Sequence, residues 1–395
     1  MTRPTRAEIC MASLRHNLEL IWRRSQAEGT EPPEIIPVVK ADAYGHGAVE
    51  VSRRLLGFGV KWLAVACLEE AIELDEAGLF EDGSAGVIIL GPLISGELEE
   101  IAARGFVPVI SDRADLEKIE SEAPGEGLRA VLYLDTGMGR TGILAEQANE
   151  VCDRVRKMEG LEIVGLFSHF PAADGIDEED RRYTEAQIED FRLLSQTILE
   201  SFPDCRLLSI ANSSGIFYHP RSAMNAVRPG ICLYGVRPAS DLEEPGELRP
   251  VMRWTTRIVQ VRELPAGAFV SYGRKTVLKR PSRLALLPVG YADGLSRRLP
   301  PGFPLSVRAR PAPLTGVVTM DLTVIDITDI PEARLGDRVL LMGRESGRRL
   351  DEFGEPENAL TEIPAEVHAR EAGTIPYEIL TSVGPRVKRE YIEDE

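Results

Sequence analysis

The sequence reads as an α/β chain, with an N-terminal (β/α)8 barrel followed by a C-terminal, mostly antiparallel β domain. Two patterns predict this. Eight short apolar runs, with amphipathic stretches between most of them, occupy the first part of the chain. Beyond residue 240 the texture changes to strand-like alternation with little helical signal.

Taken in order, the runs are Ile35–Val39, Trp62–Cys67, Gly86–Leu90, Phe106–Ile110, Ala130–Leu134, Ile163–Phe167, Leu207–Ala211 and Ala226–Leu233. Runs apolar on both faces suit a parallel sheet covered by helices. Helical spacing appears over Ala48–Leu56, Glu69–Ala77 and Asp112–Glu120, and Phe191, Leu194, Ile198 and Phe202 line one helix face. Eight strand–helix units in about 230 residues match a (β/α)8 barrel. A doubly wound open sheet is the rival that strand counting leaves open. Asp241-Leu242-Glu243-Glu244-Pro245-Gly246 is acidic, carries Pro and Gly, and reads as a linker. After it come the alternating runs Trp254–Leu264, Phe269–Ser271, Leu284–Val289, Gly316–Ile327 and Val339–Met342, and helical spacing returns at Ala365–Ala372. The predicted domains are residues 1–240 and 241–395, with the first ~10 residues able to pack with the second domain.

Composition narrows the function. The 395 residues include 46 Lys+Arg against 63 Asp+Glu, a net charge of −17. That balance excludes a phosphate-backbone partner, so no nucleic acid is expected. No window reaches the ~18 consecutive apolar residues of a membrane helix, so no membrane is expected either. Met1-Thr2-Arg3-Pro4-Thr5-Arg6 leads into Ala7-Glu8-Ile9 without the apolar segment of a secretion signal. Five cysteines form no C-x-x-C pair, and five histidines form no H-E-x-x-H. The expectation is a cytoplasmic chain with free thiols and no protein metal site.

Gly137-Met138-Gly139-Arg140-Thr141-Gly142 matches G-x-G-x-x-G after an apolar run. A dinucleotide site belongs on the first βα turn of its domain, whereas this loop follows the fifth run. Asp135-Thr136 also places a carboxylate where a pyrophosphate would approach. The better reading is a tight structural turn that aims Arg140 at the barrel mouth.

Barrel active sites gather at the C-terminal ends of the strands. Here those ends supply Lys40, Asp135 followed by Arg140, His169, Asn212 with Ser213, and Arg228. Burial disfavours a charged lysine and frees its amine as nucleophile or base. A lysine beside phosphate-binding donors suggests pyridoxal 5'-phosphate held as a Schiff base.

Val38-Val39-Lys40-Ala41-Asp42-Ala43-Tyr44-Gly45-His46-Gly47 closely resembles the cofactor-lysine motif of alanine racemases. The resemblance continues, in family order, through Asp135–Arg140, Ser168-His169-Phe170, Ala211-Asn212-Ser213, Arg228-Pro229-Gly230-Ile231 and Ser271-Tyr272-Gly273. It extends over Gly290-Tyr291-Ala292-Asp293-Gly294, Met320-Asp321 and Gly373-Thr374-Ile375-Pro376-Tyr377-Glu378. It implies a barrel, a C-terminal β domain and a homodimer with shared active sites. It also implies that Lys40 holds the cofactor and that Tyr272 is a catalytic base in the site of the other subunit. Implied cofactor contacts are Tyr44, Ser213 with Asn212, Tyr377 and the backbone of Gly230 and Ile231 around the phosphate. The resemblance further implies that Arg228 faces the pyridine nitrogen and that His169 lies against the ring. Substrate contacts fall on Arg140, Met320 and Asp321, with Tyr291 at the entrance.

The pattern departs from the family at one place. Two residues before the aspartate, where the family often carries a carbamylated lysine, this chain has Tyr133. Arg140 then needs another partner: a bound anion, a water or the Tyr133 hydroxyl.

Racemisation removes a proton from one face of Cα and returns it to the other, which suits Lys40 on one face and Tyr272 on the opposite one. Arg228 keeps its proton, so the ring nitrogen facing it stays unprotonated, a weaker electron sink that favours return of the proton to Cα. The expected activity is interconversion of L- and D-alanine, feeding peptidoglycan synthesis in a bacterial source. The alternatives are a broader-specificity amino-acid racemase, a basic amino-acid decarboxylase on the same scaffold, and a non-catalytic cofactor carrier. The roughly 150 residues beyond the barrel disfavour the last of these.

Overall fold

The computed structural model describes residues 3–26, 31–122, 127–238, 248–350 and 356–393. The expected linker Asp241–Gly246 lies outside the described residues. The strand β1 (Arg6–Cys10) opens the chain, and eight parallel strands follow: β2 (Glu34–Ile35), β3 (Trp62–Val65), β4 (Gly86–Ile89), β5 (Val107–Ile110), β6 (Leu128–Tyr133), β7 (Leu161–Phe167), β8 (Leu207–Ser209) and β9 (Ala226–Val227).

Strands β3 to β8 pair in sequence order, with registers such as Leu63↔Val87 and Leu132↔Leu166. Strands β2 and β9 pair with each other through Glu34↔Ala226 and Ile35↔Val227. Backbone bonds close both seams. Val39 N donates to Ala64 O at 2.8 Å and Ala64 N to Pro37 O at 2.9 Å, joining β2 to β3. Arg228 N donates to Ala211 O at 2.9 Å, joining β9 to β8. An open sheet has two edges with unpaired backbone groups; this ring has none, so the barrel displaces the doubly wound alternative.

The observed strands are shorter than the apolar runs at the two sites where proline interrupts pairing. The run Ile35–Val39 pairs regularly only over Glu34–Ile35, because Pro37 has no N–H to donate. The run Ala226–Leu233 ends as a strand at Val227, before Arg228-Pro229-Gly230, and Ile231–Tyr234 forms a 3₁₀ turn. Helices cover the barrel. The longest, Glu178–Leu199, begins where the Asp177 side chain accepts from Asp180 N and buries Ile188, Phe191 and Ile198 against the strands.

The rest of the chain is mainly antiparallel: β10 (Met252–Arg257), β11 (Gln260–Leu264), β12 (Phe269–Val270), β13 (Thr276–Val277), β14 (Ser282–Leu287), β15 (Pro304–Val307), β16 (Arg310–Pro313), β17 (Thr323–Asp326), β18 (Arg338–Leu350), β19 (Pro356–Ile363) and β20 (Lys388–Ile392). The main sheet runs β16-β15-β18-β10-β1-β20, with β19 on β18, and β11-β14-β17 form a second sheet. The opening strand β1 sits between β10 and β20, pairing Ala7 with both Trp254 and Arg389. The run Trp254–Leu264 is divided between these two sheets, as β10 and β11. Among the described residues, no helix is long and apolar enough to cross a membrane.

Candidate active site

Lys40 follows the first barrel strand and begins a turn of unusual hand. Ala41, Asp42, Ala43 and Tyr44 have φ between 52° and 56°. Left-handed helical backbone costs L-residues about 1–2 kcal/mol each, so neighbouring groups must hold it. Asp42 Oδ1 accepts from Ala48 N at 2.8 Å. The buried His46 ring donates from Nδ1 to Ala43 O and Tyr44 O, at 3.0 and 2.9 Å. Gly45 closes the turn at φ +79°, where a Cβ would lie 2.4 Å from Leu380 O, so only glycine fits. The turn brings the Tyr44 side chain into the same cavity as Lys40.

That cavity, of about 580 Å³, lies at the C-terminal ends of the strands and gathers ten of the predicted residues. They are Lys40, Tyr44, Arg140, His169, Asn212, Ser213, Arg228, Gly230, Ile231 and Tyr377, with Tyr133, Leu90 and Pro92 also on its wall. Among the described residues no carboxylate lines it, whereas Lys40, Arg140 and Arg228 do. In a chain of net charge −17, this is a local reversal of sign that suits an anionic occupant.

One corner is built of neutral donors. Ser213 Oγ accepts from Gly230 N at 3.0 Å and Cys232 N at 3.4 Å. A Cβ on Gly230 would stand 2.6 Å from Tyr44 Oη, so glycine keeps this corner open. Burial, helped by Tyr377, pushes the Tyr44 phenol well above its ordinary range. Desolvation and Cys232 push Tyr377 up as well. Both phenols therefore stay protonated and able to donate. Asn212 caps the short helix Ser213–Tyr218, its Oδ1 accepting from Gly215 N at 3.0 Å.

The cationic side has a different logic. The Arg228 guanidinium is buried, 4.5 Å over the Phe167 ring, and donates from Nη1 to Ser209 O at 2.6 Å and from Nη2 to Ser168 O. Burial lowers its pKa to about 10, opposed by Tyr133, so it is still charged at neutral pH. Burial, followed by Arg228, Arg140 and Lys40, lowers His169 to about 3, which keeps it neutral. Lys40 is lowered by burial and Arg140, with Glu70 opposing. The glycine loop is a turn folded around Asp135, whose carboxylate accepts from Gly137 N at 2.9 Å and Gly139 N at 3.1 Å. It presents Arg140, exposed, to the cavity. With Asp135 occupying those N–H groups, the loop has none of them to offer a pyrophosphate.

The other four predicted residues lie outside this cavity, on the C-terminal β domain. Tyr272, Met320 and Tyr291 are 73%, 53% and 42% exposed. Their loops are joined: Ser271 Oγ donates to Val317 O at 2.9 Å, and Ala292 N donates to Met320 O at 3.0 Å. Asp321 accepts from Arg386 at 2.8 Å, and the fully buried Asp293 is paired with Arg3 at 2.6 Å. Ser271 and Arg274, at φ 65° and 52°, flank the exposed tyrosine with left-handed backbone.

Comparison with known proteins decides the family. A model described as "Alanine racemase, N-terminal domain" matches residues 9–238, and "Alanine racemase, C-terminal domain" matches residues 251–391. The chain belongs to the alanine racemase family. It is 38% identical to the alanine racemase of Sorangium cellulosum over 99% of this chain and 100% of that one. Among solved structures, the biosynthetic alanine racemase of Pseudomonas aeruginosa is 33% identical, with a TM-score of 0.84, covering 99% of this chain and 100% of the other. The alanine racemase of Bartonella henselae, solved with covalently bound pyridoxal phosphate, is 28% identical with a TM-score of 0.81, covering 98% and 99%.

Sequence reasoning missed two residues that bond to the lysine turn. Glu70 accepts from Ala41 N at 2.6 Å and Ala66 N at 2.7 Å. Arg389 donates to the carbonyl of Gly45 at the end of the lysine turn. An acidic residue in a helix's first turn and an arginine in an edge strand are both ordinary, so neither carries a local signal.

Proposed function

We propose that this racemase interconverts L- and D-alanine with pyridoxal 5'-phosphate held at Lys40, using two bases on opposite faces of the substrate Cα. Lys40 serves one face and the partner subunit's Tyr272 the other. The observation that carries this reading is the division of residues just described. A cavity lined by Arg140 and Arg228, and by no carboxylate among the described residues, surrounds Lys40, while Tyr272, Met320, Asp321 and Tyr291 stand together on an exposed surface of the second domain. Such an arrangement is completed by a second copy, so the active unit is a homodimer.

The residues present fit the cofactor. The phenols of Tyr44 and Tyr377, the Ser213 hydroxyl and the backbone N–H of Ile231 form a donor corner suited to a phosphate; Gly230, whose N–H donates to Ser213 Oγ, leaves that corner room, and Asn212 holds the Ser213 helix in place. Arg228, fixed by two carbonyls, directs a permanent charge into the cavity, and the neutral His169 offers a flat ring. When bound, the cofactor supplies an electron sink that acidifies the Cα–H bond. Lys40, its amine favoured by burial, takes or returns the proton on its own face. Arg140 holds the substrate carboxylate, Met320 and Asp321 contribute from the partner, and Tyr291 narrows the entrance. A positioned acid–base pair is worth about 10²–10⁴ in rate.

Two features disfavour a decarboxylase of basic amino acids. Arg140 and Arg228 line the cavity, and among the described residues no carboxylate is there to receive a second positive group. We place the barrel at residues 1–240 and the β domain at 241–395, with β1 joined to the second. We also assign the enzyme to the cytoplasm and its D-alanine to peptidoglycan synthesis. The test is to incubate purified protein and pyridoxal phosphate with each L-amino acid and assay for the D-enantiomer. Conversion of L-alanine is expected, with other amino acids slower. Carbon dioxide release from lysine or arginine, without D-alanine formation, overturns the reading.

A further inference from the structure

Glu70 lies in the first turn of the helix Leu68–Glu76, outside the cavity lining, yet its carboxylate makes two bonds to the cavity wall, a local one to Ala66 and a long-range one to Ala41. Oε1 accepts from Ala41 N at 2.6 Å, the first N–H after Lys40. Oε2 accepts from Ala66 N at 2.7 Å, just past the end of β3. One carboxylate thus ties the start of the left-handed lysine turn to the adjacent strand. Charge-assisted bonds of this kind are short and directional. Ala41 and Ala66 offer no side chain that could do the same.

The charged groups around Lys40 differ by element. From the cavity side, Arg140 on its glycine loop and Arg228 at the end of β9 are positive, His169 is neutral, and Tyr44, Tyr133 and Tyr377 are phenols. From the helix side, Glu70 is the anion that favours the Lys40 ammonium, opposing burial and Arg140. Asp42, on the lysine turn itself, is engaged with Ala48 N and lies 3.9 Å from Arg389. Glu73, one turn beyond Glu70, is raised by burial, Asp42 and Glu70.

We infer that Glu70 is a positioning residue for Lys40, which locks the peptide carrying the lysine against β3 and sets a negative charge at the first N–H after it. The inference rests on the assignment of Lys40 as the cofactor lysine. It predicts separate effects for charge and reach. Glu70→Gln keeps one acceptor but loses the charge, so the Lys40 amine deprotonates at lower pH. Glu70→Asp keeps the charge but is one methylene too short to hold both N–H groups.

The experiment uses cofactor-free protein, adds pyridoxal phosphate, and measures the rate of borohydride-fixable attachment to Lys40 against pH, together with the affinity for pyridoxal phosphate. In Glu70→Gln the midpoint of the rate–pH curve moves down by about one pH unit. In Glu70→Asp the midpoint stays at the parental value and the affinity falls about tenfold, as expected for a lost hydrogen bond to a charged group. A parental midpoint in Glu70→Gln, or parental affinity in Glu70→Asp, overturns the inference; the second measurement decides alone if the first variant does not fold. Absence of attachment in the parental protein would instead refute the assignment of Lys40.

Discussion

Arg389 donates from Nε and Nη2 to the carbonyl of Gly45, at 3.1 and 3.0 Å. The same guanidinium donates to Gly384 O at 2.7 Å, Val387 O at 2.8 Å and Val383 O. An arginine on β20 therefore closes the turn that begins at Lys40, joining the last strand of the chain to the first barrel strand. Four successive left-handed residues are retained because partners from distant elements outweigh their local cost.

Arg389→Met removes that clamp while keeping much of the apolar stem. Buried carbonyls lose their donors, so stability falls by about 2–4 kcal/mol, and affinity for pyridoxal phosphate falls with it. Urea unfolding and cofactor titration measure the two effects. Unchanged affinity in a destabilised variant would show that the clamp serves the fold alone.

Purified protein is expected to be yellow, and borohydride is expected to fix the cofactor on Lys40. Peptide mapping by mass spectrometry locates the modified residue. Lys40→Ala should abolish both fixation and racemisation. Fixation on another lysine, or a colourless protein that binds a nicotinamide nucleotide, removes the central assignment.

Tyr272→Phe should leave exchange of the Cα proton with solvent strongly one-sided, because only the Lys40 face still works. Net racemisation falls equally in both directions, since the equilibrium is unaltered. Mixing Lys40→Ala with Tyr272→Phe subunits should restore activity, because one mixed site then carries both defects and the other carries none. Deuterium incorporation by NMR and activity of the mixture are the measurements. No recovery between well-folded variants that exchange subunits would contradict a shared site.

Stability should decline below neutral pH through buried histidines. Burial lowers His46 and His368 from the ordinary value of 6.5 to about 4. Between those pH values the unfolded chain binds protons that the folded chain refuses. Each group therefore removes about 1.4 kcal/mol of stability per unit of falling pH in that window, and nothing above it. His368, which donates to Leu341 O at 2.8 Å, lies away from the cavity. His368→Gln should reduce the slope of unfolding free energy between pH 6.5 and 5 by one proton's worth. An unchanged slope would show that His368 is protonated in the folded state.

Tyr133 is 5% exposed and shares the cavity wall with Arg140. A phenol cannot carry a carbamate, so activity should be indifferent to bicarbonate. If the Tyr133 hydroxyl serves Arg140, Tyr133→Phe raises KM for alanine about tenfold with little response to halide. A strong chloride dependence of the parental enzyme would assign that place to an anion instead.

The sequence by itself determined the barrel strands, through runs apolar on both faces, and the chemistry at their ends. Lys40, His169, Asn212, Ser213 and Arg228 are legible because a barrel brings strand termini to one mouth whatever the loops do. Tertiary structure alone decided the rest. The closure of the ring at Val39–Ala64 and Arg228–Ala211 depends on strands far apart in the chain. Regular pairing of β2 with β9 ends before Pro37 and Pro229, and only the fold shows that single bonds such as Val38 N to Pro229 O continue past it. The left-handed turn after Lys40 runs against local preference and is held by Glu70, 29 residues away, and by Arg389, 344 residues from Gly45. Periodicity reports which face a residue buries. It carries no record of a hydrogen bond made across the molecule, which is why Glu70 and Arg389 became visible only in three dimensions.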